Sequence, residues 1–441
     1  MTRHISPSLP SPSMPEVHRS MDVPTHRGFW GKMIAFAGPG YLVAVGYMDP
    51  GNWATDLAGG SKYNYTLLSV ILISSIMAMF LQRLSLKLGI VTGMDLAQSC
   101  RHHYGKKAAI PLWIAAEIAI AACDLAEVIG SAIALNLLFH IPLLWGVLIT
   151  TFDVLLLLML QQKGFRYMEA LVIVLIGTIA TCFGLELIFS KPEIAAVLGG
   201  FLPTTSVITD PGKLFIAVGI LGATVMPHNL YLHSSIVQTR RYSLDVAGKR
   251  EAIRFATIDS NIALMIALAI NAAILILSAA TFHRAGRTDV AEIQEAYHLL
   301  TPMLGITGAS TLFAVALLAA GQNSTLTGTM AGQIIMEGFV HIRIPAWARR
   351  LLTRLIAIIP AVIVIAIAGE KATTHLLLLS QVILSMQLSF AVIPLIQFTG
   401  SQRIMGEFVD PLWVRGVGWL MAVAIVALNI WLLVLQFSST T

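Results

Sequence analysis

Two short polar interruptions, Asp49-Pro50-Gly51-Asn52 and Met226-Pro227-His228-Asn229, each break an apolar stretch long enough to cross a bilayer. They share the frame x-Pro-x-Asn, and one lies in each half of the chain. Proline removes a backbone donor and stops a helix from continuing, so each stretch is predicted to be two half-helices joined by an extended break. Irregular backbone at membrane depth survives only where protein buries it or where it lines a cavity. A matched pair of broken helices is the best pointer in a sequence to a transporter's central site. Asp49, Asn52 and Met226 are then expected to face one ligand, with Pro50, Gly51 and Pro227 holding the breaks open. Ala223, one turn before Met226, is placed to offer a freed carbonyl.

The breaks matter because the rest of the chain is so apolar. Of its 441 residues, 56% are hydrophobic and 12% charged, against roughly 25% charged in an ordinary soluble domain. That length accommodates about a dozen spans of about twenty apolar residues, and the alternation a membrane barrel needs is absent. An all-α integral membrane protein follows. A net charge of +5 spread over loops gives nucleic-acid binding no support. Cys100, Cys123 and Cys182 have no C-x-x-C spacing and read as inert apolar residues. Residues 1–30, rich in Ser, Pro and His without an apolar run, read as a disordered cytoplasmic tail with no cleavable signal.

Apolar runs divide residues 31–437 into eleven spans of one transporter domain: 33–60, 65–91, 108–139, 142–161, 167–189, 211–240, 251–283, 307–339, 347–368, 374–398 and 412–437. Loop charges test the division. One side carries Arg3, Arg19, Arg27 and Lys32 of the tail, then Arg101, Lys106 and Lys107, Lys163 and Arg166, and Arg240, Arg241, Lys249 and Arg250. Arg343, Arg349, Arg350, Arg403 and Arg415 complete that side. The other side carries only Lys62, Lys191, Lys213, Arg284, Arg287 and Lys371. Positive loops are cytoplasmic, so the N-terminus is expected inside and the C-terminus outside. Spans one to five (33–190) and six to ten (211–398) then form two units of five. An odd number inverts the second against the first, giving a 5+5 inverted repeat with broken helices 1 and 6.

An acid in a membrane span is by default functional; for Asp49 the bland alternative is a cap on the second half-helix, and the two roles can coexist. One carboxylate, neutral oxygens and a thioether suit a soft transition metal better than calcium or magnesium. Zinc would more often be given cysteines or several histidines, leaving manganese(II) or iron(II) as transported substrate and no cofactor. In the third span Glu117, Asp124 and Glu127 fall on one helical face. Two ionised acids a turn apart would repel, so a shared proton is expected; interhelical hydrogen bonding is the bland reading, and the weaker case is Glu117. His228, inside the second break, suits proton handling, whereas His233 reads as a packed histidine. Arg349, Arg350 and Arg354 open the ninth span, and one of them could pair with the third-span acids. Two glycosylation sequons, at Asn64 and Asn323, and the glycines of Gly321–Gly332 are weak signals.

These residues resemble the Nramp family of proton-coupled divalent metal transporters, of the bacterial manganese and iron type. The two break motifs carry the resemblance, with GQNSTLTGTMAGQIIMEGF (Gly321–Phe339), LGIVTGMDLAQ and QQKGFRYMEALV. It implies the LeuT-like eleven-helix fold and metal ligands at Asp49, Asn52, Met226 and the Ala223 carbonyl. A glutamine of the tenth span joins them, Gln381 here with Gln387 the alternative. The resemblance places proton-linked positions at Asp124, Glu127, His228 and Arg354. Retention of Met226 separates the chain from the magnesium and aluminium branches. The expected activity is proton-coupled import of manganese(II), then iron(II), by a multi-pass monomer in the bacterial inner membrane, with lipid, metal ion and proton as its only partners. A sodium-coupled amino-acid or organic-cation transporter of the same fold is the alternative, and an enzyme is not expected.

Overall fold

The computed structural model of this chain describes residues 12–24, 28–150, 152, 164–340, 344–368 and 372–438. The first span is α1 (Pro39–Gly46) and α2 (Pro50–Tyr63), followed by α3 (Leu68–Thr92), α4 (Lys106–Phe139) and α5 (Phe165–Ser190). The sixth span is α6 (Pro211–Thr224) and α7 (Pro227–Ile236), followed by α8 (Val246–Thr281), α9 (Ala309–Val340), α10 (Ala346–Ala368), α11 (Ala372–Thr399) and α12 (Leu412–Ser438). Ten of the eleven expected spans are thus accounted for. The fourth begins as a helix over 143–150, and most of the rest of it lies outside the described residues. Seven segments are long and apolar enough to cross a membrane by length and composition, among the described residues.

Both breaks fall where the prolines put them. Pro50 and Pro227 occupy the first turn of their half-helices, where a missing N–H costs nothing and φ is already helical. A further break precedes the first: helix Phe29–Phe36 stops at Ala37, and Gly38 adopts φ 141, a conformation open to glycine alone without strain. The helices pack as two groups. One comprises α1, α2, α3, α6, α7 and α8; in the other α4 packs against α9, α10 and α11, and α5 lies on α9. Helix α11 also lies along α6, and α7 meets α9 across the seam between the groups. Ile110, Ile114 and Ile118 step along one exposed face of α4 at helical spacing, as a lipid-facing stripe does.

The tail departs from its reading as disordered. Over residues 12–24 it folds back onto the protein: Met14 is 1% exposed, and Met21–Asp22 pair in parallel with Arg240–Arg241. The Ser/Pro composition gives no hint of this, because the order comes from one buried methionine and from partners remote in sequence, from Asp95 to Glu337.

Candidate functional site

The first break leaves carbonyls without helical partners, and side chains supply them. Asn271 Nδ2 of α8 donates to the Tyr47 carbonyl at 2.8 Å, and Trp53 Nε1 donates to that of Met48 at 3.3 Å. Trp53, whose packing the sequence left open, is fully buried and meets Phe183 and Phe313 edge-on. It therefore locks α2 to α5 and α9.

Asp49 caps α2 by accepting from the Asn52 N–H at 2.9 Å, so the capping role is real. The same oxygen, Oδ1, accepts from Asn52 Nδ2 at 2.6 Å, and that amide nitrogen lies 3.0 Å from the Ala223 carbonyl across the seam between α2 and α6. Asn271 Nδ2 reaches Asn52 Oδ1 at 3.3 Å. Gln381 Nε2 approaches Asp49 Oδ2 at 3.4 Å. Gln387, nearly two turns on, makes no hydrogen bond among the described residues. Met226 caps α7 in extended conformation and is fully buried. Five of the expected positions, Asp49, Asn52, Ala223, Met226 and Gln381, thus sit on two adjoining breaks and the helix beside them.

Close backbone approach makes this convergence possible. A Cβ on Gly51 would lie 1.7 Å from Gln381 Nε2, and one on Gly222 would lie 2.2 Å from the Gln381 carbonyl. On the opposite side a Cβ on Gly130 would meet the Pro50 ring at 2.2 Å, and one on Gly46 would meet Asn229 Nδ2 at 2.3 Å. The Asp49 and Ala223 oxygens converge on a single donor group, as oxygens around a cation do. Gln381 Oε1 and Thr224 Oγ1 are buried there without a hydrogen-bond partner among the described residues. Buried polar atoms are seldom left so, and both are oxygen donors. The set mixes hard oxygens with one thioether, which fits a borderline transition-metal ion.

Asp124 and Glu127 do share a face. Both carboxyls lie against Gly328 of α9, and Glu127 Oε1 accepts from Ser324 Oγ at 2.7 Å. Cys123 lies between His228 and Glu127, its sulfur 3.8 Å from His228 Nε2 and 3.5 Å from Glu127 Oε1. Cys123, read from sequence as an inert apolar residue, stands between the second break and Glu127. Glu117 stands apart and accepts from Trp113 Nε1 at 2.9 Å. It lines a mostly apolar cavity of about 370 Å³ with Ile118, Met336 and Ile356. The side chains of Arg349, Arg350 and Arg354 lie outside the described residues. His233 is packed as expected, its Nδ1 2.9 Å from Gln82 Oε1, and Gln82 in turn bonds the Tyr47 hydroxyl.

Sequence reasoning passed over two features. Asp56, one turn beyond Asn52 and 1% exposed, has neither oxygen hydrogen-bonded among the described residues; its spacing from Asn52 was the available signal. The second is a buried knot on the N-terminal side of the first break. Arg240, 0% exposed, pairs with Glu169 at 2.8 Å and donates to the Ala35 and Ala37 carbonyls. Asp259 accepts from the N–H groups of Gly38 and Gly40. Loop arginines read as charge bias carry no signal of such a role.

A family model described as "Natural resistance-associated macrophage protein-like" matches residues 40–435. The divalent metal cation transporter MntH of Nostoc sp. is 61% identical over 97% of both chains. That of Bradyrhizobium diazoefficiens is 60% identical over 96% of this chain and 94% of its own. Among solved structures, the manganese transporter of Eremococcus coleocola superposes with a TM-score of 0.89 at 44% identity, over 95% of this chain and 90% of its own. Two more distant solved structures share the fold. Mhp1, of the nucleobase-cation-symport-1 family, has a TM-score of 0.60 at 15% identity, covering 92% of each chain. MhsT has 0.55 at 16%, covering 91% of this chain and 98% of its own.

Proposed function

From the membership of this chain in the Nramp family, a family of metal transporters rather than enzymes, we propose that it carries manganese(II) first and iron(II) second into the cell. It is a multi-pass membrane protein with the LeuT-like fold, and divalent metal is its substrate in the reading advanced here. The observation that carries the reading is the convergence of Asp49 Oδ1 and the Ala223 carbonyl on one point between the two breaks. The Asn52 amide lies at that point, Gln381 reaches Asp49 Oδ2 and Met226 heads the second half-helix of the sixth span; in this reading all three are further ligands. A carboxylate, three neutral oxygens and a thioether bind an ion firmly enough to strip part of its water. With one formal charge they also hold it loosely enough to release it.

The driving ion in this reading is the proton. Asp124 and Glu127, packed together against Gly328, form a paired acid site on α4, and the Cys123 thiol links it to His228 beside Met226. Metal and proton then follow separate routes from neighbouring sites, and the two helix groups rock about the breaks to expose the site to each side in turn. The N-terminus is cytoplasmic, the C-terminus external, and one chain suffices. A sodium-coupled amino-acid carrier would use the half-helix ends to hold a substrate carboxylate; Asp49 on the end of α2 opposes that.

The test is simultaneous recording of metal entry and luminal pH in liposomes, with manganese, iron, cadmium and calcium offered in turn. Asp49→Ala is expected to abolish manganese entry, and Asp124→Asn to leave metal binding intact while the accompanying acidification shrinks. Wild-type uptake by Asp49→Ala at matched insertion, or unchanged proton-to-metal ratios in Asp124→Asn, would refute the corresponding half of the proposal.

A further inference from the structure

We infer that the N-terminal segment Ser13–Asp22 is a latch that holds the cytoplasmic mouth of the transporter shut and lets go when that side opens. The inference rests on the alternating-access reading above. The segment crosses the seam between the two helix groups. Above it the seam is closed by Tyr231 of α7 against Phe339 of α9, ring centroids 5.7 Å apart.

One end of the segment is fixed to Glu337 of α9 and to Asp95, which caps a short helix (Leu96–Tyr104) packed on α9 and α4. Ser13 Oγ donates to Asp95 Oδ2 at 2.6 Å, and the Met14 N–H donates to Glu337 Oε2, near the end of α9, at 2.9 Å. The Met14 side chain is buried in the main apolar core. The other end is fixed to the chain that continues α7. The Arg19 N–H donates to the Gln238 carbonyl at 2.9 Å, and its guanidinium bonds the Tyr242 carbonyl at 2.8 Å. Met21–Asp22 then add a short strand to Arg240–Arg241. Between the anchors the chain is wound into a turn closed by Val17 N–H to the Met14 carbonyl at 3.1 Å. Separating α7 from α9 must therefore either unwind this turn or draw Ser13 and Met14 off their carboxylates.

The second course gives up the burial of the Met14 side chain but leaves neither carboxylate unpaired. Asp95 keeps the Gln98 N–H that it caps, at 2.8 Å, and Glu337 keeps the Gln333 amide at 2.9 Å. Undocking lets water reach both carboxylates, and their hydration offsets the hydrogen bonds lost. The strand at the other end has no such compensation. The latch is thus built to release at Ser13–Met14 and to stay attached at Arg19–Asp22.

The test is a reversible cross-link. In a chain with Cys100 and Cys182 replaced by serine or alanine and the buried Cys123 retained, Ser13→Cys and Asp95→Cys are joined by oxidation, and manganese uptake is measured before and after reduction. A locked latch is expected to slow uptake severalfold, with dithiothreitol restoring it. In a second arm, Met14→Asp is expected to speed maleimide labelling of Tyr231→Cys, which sits in the seam. Failure of the pair to cross-link, full-rate uptake by verified cross-linked protein, or labelling unmoved by Met14→Asp would each overturn the latch. A folded, reduced protein that takes up no manganese would count against the transport reading instead, and the labelling arm would then decide the latch.

Discussion

The substitution Gly222→Ala tests whether the packing of α6 on α11 is what aims the Ala223 carbonyl. The added Cβ would lie 2.2 Å from the Gln381 carbonyl oxygen, 2.8 Å from the Ser385 nitrogen and 2.7 Å from Ser385 Cβ. The first two are backbone atoms that cannot swing aside. Ordinary contact begins at 3.4 Å, so α6 and α11 must part by 3.4 − 2.2 = 1.2 Å. Ala223 is the next residue, and its carbonyl stands 3.0 Å from Asn52 Nδ2; carried along by the shift, it leaves hydrogen-bonding distance. Overpacking of this kind costs about 1–3 kcal/mol, and a displacement of about 1 Å at a reacting centre costs on the order of a hundredfold in rate. We expect lowered thermal stability in detergent and an initial manganese uptake rate reduced at least about tenfold. Gly219→Ala, one turn earlier, would place its Cβ 3.1 Å from the Thr55 methyl alone and serves as the tolerated control. Wild-type uptake and stability in Gly222→Ala would refute the argument, since the site would then not depend on how closely α6 lies on α11.

Met226→Ala should lower manganese transport and admit calcium more readily, because water in place of sulfur gives the all-oxygen shell that hard ions prefer; an unchanged manganese-over-calcium preference would make Met226 a packing residue. Orientation is checked with cysteines at the exposed positions Lys62, Lys106 and Arg403: an impermeant reagent should label the first from outside and spare the other two, and the reverse pattern would invert the topology. Burial holds the Asp95 carboxyl up at about 6, with hydrogen bonds from Ser13 and Gln98 pulling the other way. A raised acid has its full stability below the unfolded pKa and loses it as pH rises through the folded one, here about 3 kcal/mol between about pH 4 and pH 6. Asp95→Asn keeps the helix cap and should flatten that part of the stability–pH curve; an equal slope in both proteins would place the loss elsewhere.

What could be read in the sequence was whatever proline, glycine and apolar run length dictate locally. Both breaks, the half-helices that follow them and the pairing of Asp49 with Asn52 come from such rules, because Pro50 and Pro227 act within a single turn. Gln381 was preferred over Gln387 only by resemblance; the structure separates them through the approach of α11 to Gly51 and Gly222, a tertiary fact that leaves no periodic trace. The place of Cys123 beside His228 and Glu127 was invisible for a related reason. A lone cysteine in an apolar helix has the same local pattern whether it faces lipid or stands between a histidine and a glutamate. The Arg240–Glu169 pair was hidden because arginine near a span end serves as a charge marker in most loops, and only its 0% exposure distinguishes this one. The tail failed on composition, since its order depends on Gln238, Arg240 and Glu337, all remote in sequence.

The knot and the latch bear on the same problem, which is how a site between two breaks stays closed on one side. A break frees backbone groups, and each must find a partner that moves with it or one that can be left behind. The partners of Tyr47 and Met48, from Asn271 and Trp53, lie within the group of helices that carries the breaks and so travel with them. The Ala35 and Ala37 carbonyls are held by Arg240, from that same group, but Arg240 is itself neutralised by Glu169 of α5. Swinging α1 away from α5 would strand a guanidinium with no aqueous access, and removing one partner of a buried pair costs about 3–5 kcal/mol. Opening on this side therefore has to bring water to Arg240 as it proceeds. The Ser13 and Met14 anchors lie on that same N-terminal face, against carboxylates that water can solvate. Release there would come first and let solvent in, and the buried pair would then separate into water rather than into the core.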